Sequence, residues 1–149
     1  LIVLDTNIFY NFLFETNLTE KSERILETYE PLFSTFTVWN ETIYVVSRKL
    51  AEIKFGIKSY VKFRKLVAEE GYSFCAKEIE AFESVIRDLN ITVLRDYQNP
   101  REISEIMSKF KLLPNDALIA ATCRHYGIRK IATFDEDFRR VDFLEVVEP

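Results

Sequence analysis

The chemistry available to this 149-residue chain is carboxylate chemistry. It holds one histidine, His125, and two cysteines, Cys75 and Cys123. Nucleases built on paired histidines are therefore excluded, as are zinc hydrolases with HExxH or three histidines. The glycine-framed motifs GxSxG and GxGxxG are absent, and so is the phosphate loop GxxxxGK followed by Ser or Thr. Two distant cysteines make neither a disulfide framework nor a zinc knuckle, and both read as small buried hydrophobes. His125 falls late in a predicted helix, where a favourable dipole contact accounts for it.

Four acids stand out by position. Asp5 closes the apolar run Leu1–Leu4, and Asp135 follows the candidate strand Lys130–Thr133 by two residues. Asp116 falls in the first turn of a helix opened by Pro114, and Glu41 near the start of another. Each has a plain reading on its own. Asp116 complements a helix dipole, and Asp135 starts a turn. Glu41 shares a solvated helix face with Tyr44, Arg48 and Glu52. Asp5 is harder to dismiss, because a charge abutting four apolar residues needs water, a partner or a metal. In open α/β sheets, ligands sit outside the carboxyl ends of the strands, so all four acids can share one rim. Two carboxylates about 4 Å apart repel by on the order of 4 kcal/mol at an effective dielectric near 20. A hard divalent cation turns that repulsion into binding, and an all-oxygen donor set suits Mg²⁺ or Mn²⁺ rather than zinc.

The elements that must carry these acids follow from hydropathy and punctuation. Strands are expected at Leu1–Leu4, Leu32–Phe36, Ile91–Leu94, Lys130–Thr133 and Phe143–Val147. Between them fall helical segments at Ile8–Phe14, Thr19–Tyr29, Thr37–Lys54, Ser59–Glu70, Lys77–Asp88, Asn99–Phe110 and Asn115–Tyr126. Thr37 is the expected cap of the third, with Trp39, Ile43, Val46, Leu50 and Ile53 as its apolar face and Gly56 as its stop. In the next helix Tyr60, Phe63 and Val67 carry the apolar pattern. The alternation predicts a three-layer α/β/α fold around a mainly parallel sheet of four to five strands. Length, 48% hydrophobic residues and 30% charged residues fit one globular domain, residues 1–149. The Leu1–Leu4 run is far too short to span a membrane and no basic segment precedes it, so neither a membrane nor a signal peptide is expected. The cysteine usage suits a reducing, cytoplasmic setting.

Four segments, LIVLDTN (1–7), VWNETIYVV (38–46), LPNDALIAAT (113–122) and IATFDEDF (131–138), resemble PIN domains, most of all the VapC-type toxin ribonucleases. The resemblance runs over essentially the whole chain. It implies that Asp5, Glu41 and Asp116 are catalytic metal ligands and that Asp135 matches the more variable fourth acid, with Asp137 as its rival. It implies supporting hydrogen bonds from Thr6 and Asn7, and Thr133 matches the family's hydroxyl position. It further implies hydrolysis of RNA to 5′-phosphate and 3′-hydroxyl ends, a small antitoxin partner and a homodimer. Two departures bear on substrate and assembly: the segment Lys58–Asn90 is long and rich in aromatics, and the chain is acidic, at a net charge of −4.

An acidic site needs cations beside it to hold RNA. Arg139 and Arg140 are the first pair to consider, then Arg48 with Lys49, although each also reads as part of a solvated face. Arg124, Arg129 and Lys130 flank the same motifs. Phe9, Tyr10 and Trp39 can stack on bases, with core packing as the simpler reading. Exposed aromatics between Phe55 and Phe82 are candidates for partner contacts. Two other functions compete. One is a catalytically silent PIN-fold module for RNA binding or assembly. The other is an aspartyl-phosphate phosphotransferase, which wants a second Asp where Asn7 stands.

Overall fold

The computed structural model describes residues 1–148; Pro149, the last residue of the expected domain, lies outside the described residues. Its order is β1 (Ile2–Leu4), α1 (Thr6–Leu13), α2 (Thr19–Thr28), β2 (Leu32–Thr35), α3 (Phe36–Phe55), α4 (Tyr60–Glu70), α5 (Ala76–Asp88), β3 (Thr92–Leu94), α6 (Pro100–Phe110), α7 (Pro114–His125), β4 (Lys130–Ala132) and β5 (Glu145–Val147). One-turn 3-10 segments cover Ser73–Cys75 and Glu136–Arg140. The five strands form one sheet in the order β3-β2-β1-β4-β5. The expectation was a mainly parallel sheet; every pairing is parallel.

Burial follows strand position. All three residues of central β1 are buried, as a strand covered on both faces requires. The edge strands β3 and β5 each keep an exposed residue, Thr92 and Glu145. Right-handed crossovers place α1 to α5 over one face and α6 with α7 over the other. The helix contacts agree: α1 touches α2, α3 and α5, and α6 packs on α7. Ala117, Ala120 and Ala121 are fully buried, so small side chains bring α7 close to the core.

Three local expectations are corrected. Thr35, not Thr37, caps α3, its Oγ1 accepting from the Val38 amide at 3.2 Å. The Thr37 amide instead donates to Asp96 Oδ1 at 3.0 Å, a partner 59 residues away. Ile53 is 60% exposed and Tyr60 55% exposed, so neither continues its helix's apolar face. The aromatics between Phe55 and Phe82 divide: Phe55, Tyr60 and Tyr72 are exposed, while Phe63, Phe74 and Phe82 are buried. Phe63 and Phe74 join Val46, Leu50, Ala51 and Cys75 in a second small core, which explains the long Lys58–Asn90 segment as an added lobe on α3. Gly56 closes α3 in the left-handed region, at φ 65°, as the sequence anticipates. No helix among the described residues is long and apolar enough to cross a membrane.

Candidate functional site

Strand order reverses between β1 and β4, so the loops leaving these neighbours diverge and open a crevice at their carboxyl ends. Asp5 sits there. Its amide continues the ladder by donating to Ala132 O at 3.0 Å. Its side chain is the N-cap of α1, with Oδ1 accepting from the Thr6 amide at 2.8 Å. The other oxygen accepts from the Thr133 hydroxyl at 2.7 Å. Thr133 is a hub: its oxygen also accepts from Asn7 Nδ2 at 3.1 Å and from the Asp135 amide at 3.0 Å. Asn7 Oδ1 in turn accepts from the Phe134 amide at 3.1 Å. These bonds lock the end of β1 to the end of β4 and aim Asp135 at Asp5.

The other acids arrive from different elements. Asp116, Asp135 and Asp137 each offer a carboxylate oxygen within 4.8 Å of the other two. Their electrostatics show how far the cluster extends. Burial pushes the Asp5 carboxyl up to about 6, opposed by the Thr133 and Thr6 hydrogen bonds and reinforced by Glu41 and Asp135. Asp116 is also pushed up to about 6, by burial first, then by Asp5, Asp135 and Asp137, with Arg140 acting against them. Glu41 is raised by burial, then by Asp116 and Asp135. Asp135 thus acts on Asp5, Glu41 and Asp116 together, while Asp137 acts on Asp116 and is tied at 2.8 Å to Arg140. Asp135 and Asp137 both stand in the tight cluster with Asp116, and Asp135 also acts on Asp5 and Glu41.

The donor set suits a hard cation. All candidate ligands are carboxylate oxygens. Asp116, although in the first turn of α7, accepts no hydrogen bond among the described residues, so it is not a side-chain cap. Thr6 Oγ1 is buried with no hydrogen-bond partner within bonding distance, and its hydroxyl is near enough to Glu41 to act against the rise of that carboxyl. Converging acids and an orphaned hydroxyl are what a bound divalent ion with its waters would satisfy.

The cations fall less simply. Arg140 spends Nε on Phe110 O at 2.9 Å, Nη1 on Asp137 and Nη2 on Lys111 O at 2.6 Å, so it closes the end of α6. Arg139 pairs with Glu136 at 2.7 Å and Glu148 at 2.5 Å. Arg124 is paired with Glu102. Arg48 donates to the Tyr44 hydroxyl and to Lys58 O and lies over the Phe63 ring; like Lys49 and Lys58 it has no ion pair among the described residues. Phe9 is core, edge-on to Phe82, and Trp39 stacks on Phe36. His125 stacks on Tyr97 at 4.2 Å. Burial pushes the Cys123 thiol up to about 12 and raises that of Cys75, as inert buried cysteines require. Sequence reasoning passed over Asp96, which lies two residues past the end of β3.

A parallel α/β/α sandwich that gathers acids from separate elements at its switch point defines a carboxylate-centred class of α/β protein. The chain belongs to the PIN domain family, whose model matches residues 2–144. Ribonuclease VapC6 of Methanocaldococcus jannaschii is 34% identical over 113 residues, 74% of this chain and 72% of that protein. Among solved structures, Mycobacterium tuberculosis VapC20, a Sarcin-Ricin loop cleaving toxin, is similar with a TM-score of 0.65 at 16% identity, over 100% of both chains. A toxin–antitoxin complex from Klebsiella pneumoniae gives 0.63 at 17% identity, over 99% of this chain and 96% of that one. These two likenesses show the fold, and the resemblance to VapC-type proteins holds through Ribonuclease VapC6.

Proposed function

We propose that this protein is a metal-dependent endoribonuclease, the toxin of a VapBC-type pair. The observation that supports this reading is the cluster of Asp116, Asp135 and Asp137, with carboxylate oxygens within 4.8 Å of one another, near buried Asp5 and half-buried Glu41, whose carboxyls these acids help to raise. Asp5, Asp116 and Asp135 would hold Mg²⁺ or Mn²⁺, with Glu41 binding directly or through water. The ion supplies a lowered water pKa and charge neutralisation at the phosphate. Thr133 and Asn7 orient Asp5 and Asp135. Glu41, half-buried and short of donors, accepts the proton of the attacking water. The P–O3′ bond breaks, leaving a 5′-phosphate and a 3′ oxygen that takes a proton from solvent water, and Glu41 returns its proton to solvent.

The RNA backbone would be held by Lys49 and Lys58, which line a groove of about 470 Å³ together with Tyr10, Tyr44, Arg48 and Glu52. Arg139 and Arg140, spent on internal partners, would serve the fold first. The antitoxin reading draws on the toxin–antitoxin complex among the similar structures, and the exposed Phe55, Tyr60 and Tyr72 suit protein contacts, a homodimer included. Cytoplasmic action accords with an RNA substrate.

The test is cleavage of total RNA with Mg²⁺ or Mn²⁺, with chelator, and with Asp5→Asn and Asp116→Asn. Loss of cleavage in all three controls is expected, with 5′-phosphate ends on the products. Cleavage that survives chelator and both substitutions overturns the reading. A stable RNA complex without cleavage by the intact protein would select the silent binding module, and phosphate trapped on Asp5 the phosphotransferase.

A further inference from the structure

Beside the metal-binding acids lies a cleft of about 540 Å³ that the proposed reaction does not use. Glu41 and Asn115, neighbour of Asp116, stand on its rim, so whatever fills it lies next to the reacting phosphate. Its lining contains no lysine or arginine. Two carboxylates, Glu41 and Asp96, face it instead, and a phosphate is not welcome there. Three exposed aromatic residues border it, Phe36, Tyr44 and Tyr72. Asn40, Gln98 and Asn115 also line it, and none of their side-chain amides has a hydrogen-bond partner among the described residues. Asp96 is fixed in place: one oxygen accepts from the Thr37 amide at 3.0 Å, at the start of α3, and the other has no hydrogen-bond partner among the described residues.

Flat apolar faces, neutral amides and one anchored carboxylate suit a nucleobase rather than a backbone. Bases stack on aromatic faces, amide side chains read their edges, and a carboxylate accepts from exocyclic amines such as cytosine N4. Uracil has no exocyclic amine, and its one edge donor, N3–H, lies between two carbonyl oxygens that the Asp96 carboxylate repels. We propose that this cleft is a specificity subsite that takes one unpaired, amine-bearing nucleobase flanking the scissile phosphate, and that Asp96 rejects uracil there. The inference rests on the nuclease reading for its substrate. Tyr44 borders both this cleft and the cationic groove, so the base and the backbone of one strand separate around its ring. Tyr72 reaches the rim from the added lobe, which gives that insertion a part in substrate choice.

The test is cleavage of a randomised single-stranded RNA pool with Mn²⁺, followed by sequencing of the cut ends. The wild-type protein is expected to deplete uridine by about fivefold or more at one fixed position from the cut, the scale of one good base contact. Asp96→Asn keeps an acceptor for the Thr37 amide and is expected to bring uridine back to within about twofold of its input. Gln98→Ala, at an exposed residue with no internal hydrogen bond, is the second variant and is expected to weaken the same preference. No depletion by the wild type, or a depletion that both variants retain, overturns the subsite. Should the pool remain uncut, the nuclease reading fails separately. Fluorescence anisotropy with labelled oligocytidylate and oligouridylate then decides the subsite alone. Tighter binding of oligocytidylate, lost in Asp96→Asn, upholds it, and equal binding of the two overturns it.

Discussion

Asp116 shows how one side chain is placed against its own interest. It occupies the first turn of α7, where a helix dipole favours negative charge by about 0.3–1 kcal/mol, yet burial and three neighbouring acids push its carboxyl up from 3.8 to about 6. A folded state that holds a proton more tightly than the unfolded chain loses stability as pH rises from about 4 to about 6, and the loss then stays constant above that window. Discounted for solvent screening and the dipole, the penalty is on the order of 1–2 kcal/mol. Asp116→Asn should therefore raise the melting temperature of chelator-treated protein at pH 7 by about 3–6 °C. The gain should vanish near pH 4, and calorimetry at both pH values checks it; a variant melting lower at pH 7 would make Asp116 a dipole partner only. Thr133 is the opposite case. Its hydroxyl serves Asp5, Asn7 and the Asp135 amide at once, so Thr133→Val leaves buried groups unpaired and should destabilise by about 2–3 kcal/mol. Thr133→Ser keeps the hydroxyl and loses one buried methyl, about 1 kcal/mol. Denaturant titration of the two variants separates the hub from simple packing.

The elements were readable where punctuation is local and misread where a distant residue intervenes. Pro114 opening α7, Asn99 capping α6 and Gly56 closing α3 act within a few residues of themselves, and each boundary stands within a residue or two of its expected place. The α3 cap is different. Two threonines compete, and the choice falls to Thr35 because β2 releases the chain there and Asp96 has taken the Thr37 amide. No sequence window contains both partners. Ile53 follows the helical stripe faithfully, but α3 outruns the body that would cover it. The placement of Asp5 and Asp135 was legible for the same local reason: both follow strands, so it needs only a parallel sheet. What was not legible is how the cations are spent, since Arg140 binds the carbonyls of α6 from 29 and 30 residues away. Thr35→Ala should lower stability by about 1 kcal/mol. It also loosens the first turns of α3, which carry Glu41. Thermal melting and Mn²⁺ titration of that variant should show a lower melting temperature and weaker metal binding together.

At the scale of the whole molecule, charge is arranged against the net. The chain carries −4 overall, and its candidate site concentrates acids, so under the proposed function RNA affinity would come from a local cationic track. The fold leaves two candidates. Arg139 and Arg140 are closed into ion pairs and carbonyl contacts, whereas Lys49 and Lys58 line an open groove beside Tyr10 and Tyr44. Counterion release separates them, because each phosphate neutralised on a single strand contributes about −0.7 to the slope of log affinity against log salt. Lys49→Ala and Lys58→Ala should each make that slope shallower by about 0.7 while leaving the melting temperature near wild type. Arg140→Ala should do the reverse: the slope holds, and the melting temperature falls because two carbonyls of α6 and Asp137 lose their donor. Binding is best followed by anisotropy in the Asp116→Asn background, so that cleavage does not interfere. A slope unchanged by both lysine substitutions but reduced by Arg140→Ala would move the RNA track to Arg139 and Arg140. The same inversion would turn the added lobe from a wall of the substrate path into a surface facing away from it.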